Sequence, residues 1–314
     1  MAEQPVIVVA GPTASGKSGL AMDLAERLAG TIINADSMQV YRDLRILSAR
    51  PSQADEDRVP HLLYGHRDAT EAGSAANWAA AAHNAIRAVT DAGRRPLLVG
   101  GTGLYLKALM EGLAPIPEVP GETRQRAEAR RREIGDVAFH NELATRDPEI
   151  AARLHPGDSQ RVLRAWEVVE ATGRPLSEWQ AEPSVAPDMS FRVLVIEPPR
   201  EELYRNCDSR FLDMIETGAI DEVKALSARA DKEGLDPALP IFKALGYPPL
   251  ASHLAGQTSL DAAIIAGQQQ TRNYAKRQTT WLRHQLAGDE GNHPRIDVLK
   301  YNYSIDDSMF SFLS

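Results

Sequence analysis

One stretch constrains this chain more than any other: VIVVAGPTASGKSGLA, residues 6–21. Five apolar residues run straight into the spacing G-x-x-x-x-G-K-S, here Gly11, Pro12, Thr13, Ala14, Ser15, Gly16, Lys17 and Ser18. The residues that follow, SGLAMDLAERLA, keep helical apolar spacing. A strand that opens into a glycine-rich turn and then a helix aims several backbone N–H groups at one point. The helix dipole adds partial positive charge there, Lys17 adds a full one, and Ser18 offers a hydroxyl to Mg²⁺. A glycine turn that merely joined strand to helix would leave the Gly-Lys-Ser order unexplained. The loop therefore predicts a bound diphosphate, without saying whose.

Strand-like runs at Val6–Ala10 and at residues 31–34, 96–100 and 192–197 alternate with helical stretches at residues 17–29 and 75–92. That rhythm predicts an α/β fold of the P-loop NTPase-like kind, a parallel sheet flanked by helices on both faces. It breaks at two Pro-rich stretches, APIPEVPGE (114–122) and AEPSVAPDMS (181–190), which should be extended and poor in helix. Residues 123–179 between them are patterned as helix throughout, so an all-helical lobe is expected to be inserted through two hinges. The expected division is a catalytic core of residues 1–118 and 188–314 around a lobe of residues 119–187. Residues 201–286 read as mostly helical. The tail after Gly288 is polar except for a strand-like run at 295–300, and is given no function.

A chain of 314 residues, 43% hydrophobic and 25% charged, can bury a full core, and no apolar run approaches a membrane span. The early VIVVA run is too short for a signal-peptide core and lacks a basic flank, so the cytoplasm is the expected location. The single cysteine, Cys207, excludes an intrachain disulfide or a Cys-based metal cluster. A net charge of −8 argues against a generally basic, DNA-coating protein and leaves room for local basic patches.

An NTPase of this loop class needs an acidic residue at the end of an apolar strand to hold Mg²⁺ water. The candidate strand, in RRPLLVGGTGLY, ends in Gly100, Gly101, Thr102 and Gly103, with no acid. This second glycine turn places N–H groups and the Thr102 hydroxyl at the edge where α/β sheets bind ligands, or is simply a tight turn. TIIN followed by ADSMQVY puts Asp36 at the same edge. A carboxylate there can take a proton, order metal water, or cap the next turn. Its polar company, Ser37, Gln39 and Tyr41, favours a site, and Asp36 is the candidate general base. QTRNYAKRQTTWLRHQ (270–285) contains no acid, and its Arg272, Lys276 and Arg283 lie within about 40° of one another at 100° per residue. Tyr274, Gln278 and Trp281 group on nearly the opposite side. A basic stripe backed by packed residues suits a phosphate-facing helix. The arginine run ETRQRAEARRRE (122–133), mixed with acids, reads more as a solvated face.

Together these stretches resemble the tRNA dimethylallyltransferases, or tRNA isopentenyltransferases. GPTASGKS, NADSMQVY, VGGTGLYLKAL, LHPGDSQRVLRAWEV, TGRPLSEW, RFLDMIETGAIDEV, ALGYPPL and TRNYAKRQTTWLR follow the family's order and spacing from about Pro5 to Arg283. The resemblance implies transfer of a dimethylallyl group from dimethylallyl diphosphate to the exocyclic amine of the adenosine 3′ of a tRNA anticodon. It casts Gly11 to Ser18 as the diphosphate-binding loop and Asp36 as general base. Thr102 would contact the departing oxygen and Arg210 would face the diphosphate, whose charge Lys17 and Mg²⁺ oppose. It further implies tRNA contacts at Asp36, Ser37, Met38, Gln39, Thr102, Arg124, Gln160, Arg161, Val162, Leu163, Arg164, Arg272, Lys276 and Arg277, and across the RNYAKRQ stretch generally. The inserted lobe would grip the anticodon stem-loop of a flipped-out base. A monomer with no membrane partner is expected. RILSARP (45–51) stands where the family usually reads DIGTAKP, Asn206 where an arginine is common, and Pro249 where a glutamate is. None of these departures is expected to touch the phosphate loop, Asp36 or Thr102.

Three other readings stand beside this one. A small-molecule kinase would turn over ATP and carry arginines on a lid, but would want the missing strand acid. A prenyltransferase acting on free adenine nucleotides would have no use for the lobe. A plain tRNA-binding protein would have no use for the phosphate loop.

Overall fold

The computed structural model describes residues 4–184, 188–286, 295–301 and 307–313. Its sheet has six strands: β1 (Val6–Ala10), β2 (Gly30–Asn34), β3 (His61–Leu62), β4 (Arg95–Gly100), β5 (Phe191–Val195) and β6 (Ile296–Lys300). They lie in the order β3-β2-β4-β1-β5-β6, every pairing parallel. VIVVA and GTIIN are buried at every position. Such unbroken burial is what a parallel strand covered on both faces requires. Helices α1 (Lys17–Arg27), α2 (Gln53–Arg58), α3 (Ala75–Asp91) and α4 (Gly103–Met110) follow β1, β2, β3 and β4 in turn. Trp78 of α3 is locked in place, donating to the Asn34 carbonyl at 3.0 Å and stacking on Tyr105 of α4 at 4.3 Å.

The sequence reading is corrected in several places. α1 stops at Arg27 because Ala29 takes a left-handed φ of 48°. β5 runs Phe191–Val195, after which the Ile196 N–H still donates to Ala10 at 2.8 Å before two prolines end the pairing. The short α2 and β3 carry no apolar period to reveal them; α2 is set by a capping box between Ser52 and Asp55. The tail is structural. β6 extends the sheet beside β5, and α13 (Asp307–Leu313) buries Met309 and Leu313 against the α1 side of the core. Residues 288–294, at the start of that tail, and 185–187, within the second Pro-rich stretch, lie outside the described residues.

The chain divides into two compact units, Met1–Met110 with Pro187–Ser314, and Glu111–Ala186. The second unit thus begins earlier than residue 119. It contains α5 (Gly121–Arg146), α6 (Pro148–Arg153), α7 (Ser159–Thr172) and α8 (Leu176–Ala181), packed around Phe139, Leu143, Val162, Trp166 and Leu176. α5 is broken at Gly135, whose φ of 80° and ψ of 162° only glycine adopts without strain. Asp147 is fully buried and fully used. It caps α6 through the Ile150 N–H at 3.1 Å and accepts from the Ser177 N–H and hydroxyl at 2.9 and 2.7 Å.

The remaining helices belong to the first unit: α9 (Arg200–Glu216), α10 (Ala219–Glu233), α11 (Tyr247–Leu254) and α12 (Leu260–Gln285), with a 3₁₀ turn at Pro240–Lys243. α12 packs against both α9 and α11, and α9 and α12 bring distant residues to the C-terminal edge of β1, β2 and β4.

Candidate active site

Each glycine of the phosphate loop is needed for a different reason. Gly16 holds a φ of 87° at the head of α1, where a side chain would be strained. A Cβ on Gly11 would come within 2.6 Å of the Ser15 hydroxyl and 3.1 Å of the Ile196 carbonyl. Lys17 folds back to donate to the Pro12 carbonyl at 3.1 Å. Burial lowers its pKa from 10.5 to about 8, against the pull of Asp36 and with the help of Arg210. The Ser15 hydroxyl is buried and has no hydrogen-bond partner among the described residues. Ser18 is exposed on the first turn of α1.

The other members of the site come from elsewhere in the chain. Arg210 of α9 donates to the Thr13 hydroxyl, and its own pKa is lowered by burial. Asp36, past the end of β2, uses one carboxylate oxygen to accept the Met38 N–H at 2.8 Å and the Gln39 N–H at 3.4 Å. The turn-capping role is therefore realised, in a residue that also lines a cavity. The Thr102 hydroxyl, on the glycine turn after β4, accepts the Ser37 N–H at 3.1 Å. Thr13, Asp36, Arg210, Phe211, Tyr274 and Arg277 all line one cavity of about 210 Å³. Burial raises the Tyr274 pKa, so its phenol stays protonated.

The structure redistributes several expected RNA-facing residues. Arg272 is ion-paired with Asp208 of α9, and Arg283 with Glu197. The acid-free segment therefore finds its acids on neighbouring segments, and two of its three stripe residues are committed internally. Lys276 is exposed, and Arg277 turns the other way, over the Tyr274 ring at 5.6 Å and onto the cavity. In the helical unit Val162 is buried in the core, and Leu163 is half-buried against it. Gln160 and Arg161 are exposed, Arg161 lying 3.3 Å from Asp158. Arg164 lies 3.7 Å from Glu167, whose carboxyl burial pushes up. Of the arginine run, Arg126, Arg130, Arg131 and Arg132 are ion-paired, and Arg124 is exposed without an ion pair among the described residues.

Met38 lines the cavity, but the Gln39 amide is spent on the carbonyls of Ser48 and Ala49, at 3.0 and 2.8 Å. Residues 45–51 are held by Glu222 of α10, whose carboxylate accepts the N–H groups of Arg45, Ile46 and Leu47 at 2.7, 2.7 and 2.9 Å. Asn206 does touch the phosphate loop, donating to the Ala14 carbonyl at 3.4 Å. Sequence reasoning missed Glu222 and Asp208, whose partners are far away in the chain. It also took Gln278 as packing behind a basic stripe and, by resemblance, as the end of an RNA-contacting stretch. Gln278 instead accepts the Thr13 N–H and donates to the Gly101 carbonyl, both at 2.8 Å.

A parallel sheet of this topology, with a glycine-lysine-serine loop after its first strand and no acid after β4, defines a phosphate-loop protein that is not built as an ordinary NTPase. A profile described as IPP transferase matches residues 39–285. The chain is 58% identical over 288 residues to the tRNA dimethylallyltransferase of Rhodospirillum centenum, covering 91% of this chain and 90% of that one. It is 54% identical to that of Paramagnetospirillum magneticum, covering 90% and 89%. Among solved structures, a eukaryotic dimethylallyltransferase acting on tRNA superposes with a TM-score of 0.79 at 27% identity, over 98% of this chain and 78% of that one. A tRNA isopentenylpyrophosphate transferase from Bacillus halodurans gives 0.64 at 31% identity, over 99% and 95%. The chain belongs to the IPP transferase family.

Proposed function

We propose that this protein transfers a dimethylallyl group from dimethylallyl diphosphate to the exocyclic amine of the adenosine 3′ of the anticodon in tRNA, acting as a cytoplasmic monomer. The observation that carries the chemistry is the meeting of the phosphate loop, Arg210 and Asp36 at one cavity. The N–H groups at the head of α1 receive the diphosphate, with Lys17 beside it and Arg210 steadying the loop through Thr13. The allylic C–O bond breaks as the amine nitrogen bonds to the same carbon. The electron pair leaves with the diphosphate, and preorganised donors stabilise the charge that builds there. Asp36 takes the proton that the amine must lose.

Mg²⁺ suits this donor set. No cluster of three metal-binding side chains occurs among the described residues, but Ser18 offers an exposed hydroxyl beside the loop. A hard ion that keeps several waters and takes phosphate oxygens needs little more from the protein. When bound, it would add charge opposing that of the leaving diphosphate. Arg124, Gln160 and Arg161 on the helical unit, with Lys276 and Arg277 of α12, are the accessible candidates for RNA contact. No helix of the described residues is long and apolar enough to cross a membrane.

The test is to incubate the protein with labelled dimethylallyl diphosphate and Mg²⁺, offering bulk tRNA, AMP or no acceptor. Label should enter tRNA. Label in AMP alone would reassign the acceptor, and ATP turnover without transfer would overturn the reading in favour of a kinase.

A further inference from the structure

α12 reaches the catalytic edge with one side chain that no part of the mechanism above uses. Gln278 is 5% exposed, too buried to meet an RNA. Its carbonyl oxygen accepts the Thr13 N–H of the phosphate loop at 2.8 Å. Its amide nitrogen donates to the Gly101 carbonyl of the second glycine turn, also at 2.8 Å. One planar amide thus spans the two loops, one carrying the donor's phosphates and the other the Thr102 hydroxyl. The approach leaves no slack. A Cβ on Gly101 would collide with the Gln278 amide and with the Gly11 carbonyl, and one on Gly103 would collide with the Trp281 ring a turn further along α12.

We propose that Gln278 is a positioning residue: it sets the distance between the phosphate loop and the Thr102–Ser37–Asp36 edge, and so the alignment of the donor's reacting carbon with the acceptor amine. This rests on the proposed transfer from an allylic diphosphate. Three features single out the amide. It is the only kind of side chain of this length that accepts at one end and donates at the other without charge. Both of its partners are backbone atoms, so the bridge fixes main chain rather than another mobile side chain. Thr13 is held a second time through its hydroxyl by Arg210, so this one loop position takes long-range contacts from both α9 and α12. Reactions between two bound partners are steep in such alignment, and a displacement of about 1 Å costs about 10²-fold.

Gln278→Ala and the isosteric Gln278→Glu test this. Transfer is measured with saturating tRNA and dimethylallyl diphosphate, alongside pyrophosphate and tRNA binding and thermal unfolding. Gln278→Ala should lose about 10²-fold in kcat while tRNA binding stays within about twofold. In Gln278→Glu one oxygen still accepts from Thr13, but the other faces the Gly101 carbonyl and can donate only when protonated. The ratio of its kcat to the wild-type kcat should therefore rise as pH falls, a comparison from which the titration of Asp36 cancels. An unchanged kcat in Gln278→Ala, or a loss confined to tRNA affinity, overturns the assignment. So does a Gln278→Glu ratio that is flat with pH, which would also identify a merely structural role. Failure of the wild-type protein to use the allylic diphosphate at all would instead refute the reaction on which the inference rests.

Discussion

Lys17→Met should make the ligand-free protein more stable while destroying its hold on diphosphate. Burial brings the Lys17 pKa from 10.5 down to about 8, a displacement of about 2.5 units that corresponds to about 3 kcal/mol. Below pH 8 the ammonium is charged in both folded and unfolded chains, and the fold bears the whole penalty. Between pH 8 and 10.5 the folded chain has released the proton and the unfolded chain still holds it. The unfolded state then binds more protons, so stability rises with pH. Methionine is likewise unbranched, one atom shorter, and carries no titrating proton. The wild-type protein should therefore gain about 2 kcal/mol on Lys17→Met between pH 7 and about pH 9.5. At pH 7 the variant gives up the hydrogen bond to Pro12, about 1 kcal/mol, which leaves it ahead by about 1–2 kcal/mol. These are ceilings, because Lys17 keeps part of its surface accessible.

Paired urea unfolding curves at pH 7 and 9.5 measure the difference directly, since all other titrating groups are common to both proteins. Pyrophosphate at a hundred times its dissociation constant should then stabilise the wild-type protein at pH 7 by about 2.7 kcal/mol and the variant far less. A stability gap that does not change with pH would refute the claim that the fold holds this ammonium at a cost.

Asp36→Asn keeps an oxygen for the Met38 N–H, so the turn should survive and melting should change little. Its kcat should fall by about 10² to 10⁴, and a loss below tenfold, measured at saturating tRNA, would reduce Asp36 to a turn cap. Lys276→Ala should lower the slope of log affinity for tRNA against log salt by about one unit or a little less. Arg272→Ala and Arg283→Ala should leave that slope nearly unchanged and lower stability instead, because they strand Asp208 and Glu197; equal slopes for all three variants would contradict this. Glu222→Ala removes the acceptor of three backbone N–H groups. It should destabilise the protein by about 2–4 kcal/mol in urea and raise the KM of a substrate resting against Leu47, which lines the cavity; unchanged unfolding would mean that water replaces the carboxylate.

The parts of the fold that are legible in the sequence are those with a local cause. Val6–Ala10 and its neighbours are continuous apolar runs because a doubly covered parallel strand must be, and the phosphate loop is written in consecutive residues. Asp36 and Thr102 are found by the same means, each sitting just past a strand end, and strand ends in such a sheet gather at one edge. α13 is not found that way: its Met309 and Leu313 are buried by a core that the tail reaches only after β6 has joined the sheet. Val162 shows the opposite limit, a motif residue that faces the core of its own unit while Gln160 and Arg161 just before it are exposed.

α12 marks where periodicity runs out. A helical wheel correctly separates Arg272, Lys276 and Arg283 from Tyr274, Gln278 and Trp281, yet it assigns neither face its partner. The basic side meets carboxylates from α9 and from the segment after β5, which lie 64 and 86 positions away in the chain. The other side meets two glycine turns, 177 and 265 positions away. An acid-free stretch is therefore not an unpaired one, and a residue opposite a charged stripe is not mere packing. What decides each case is the element that the fold lays against it. For Gln278 that element is bare backbone, which is why an amide, rather than a charge or a hydrocarbon, stands there.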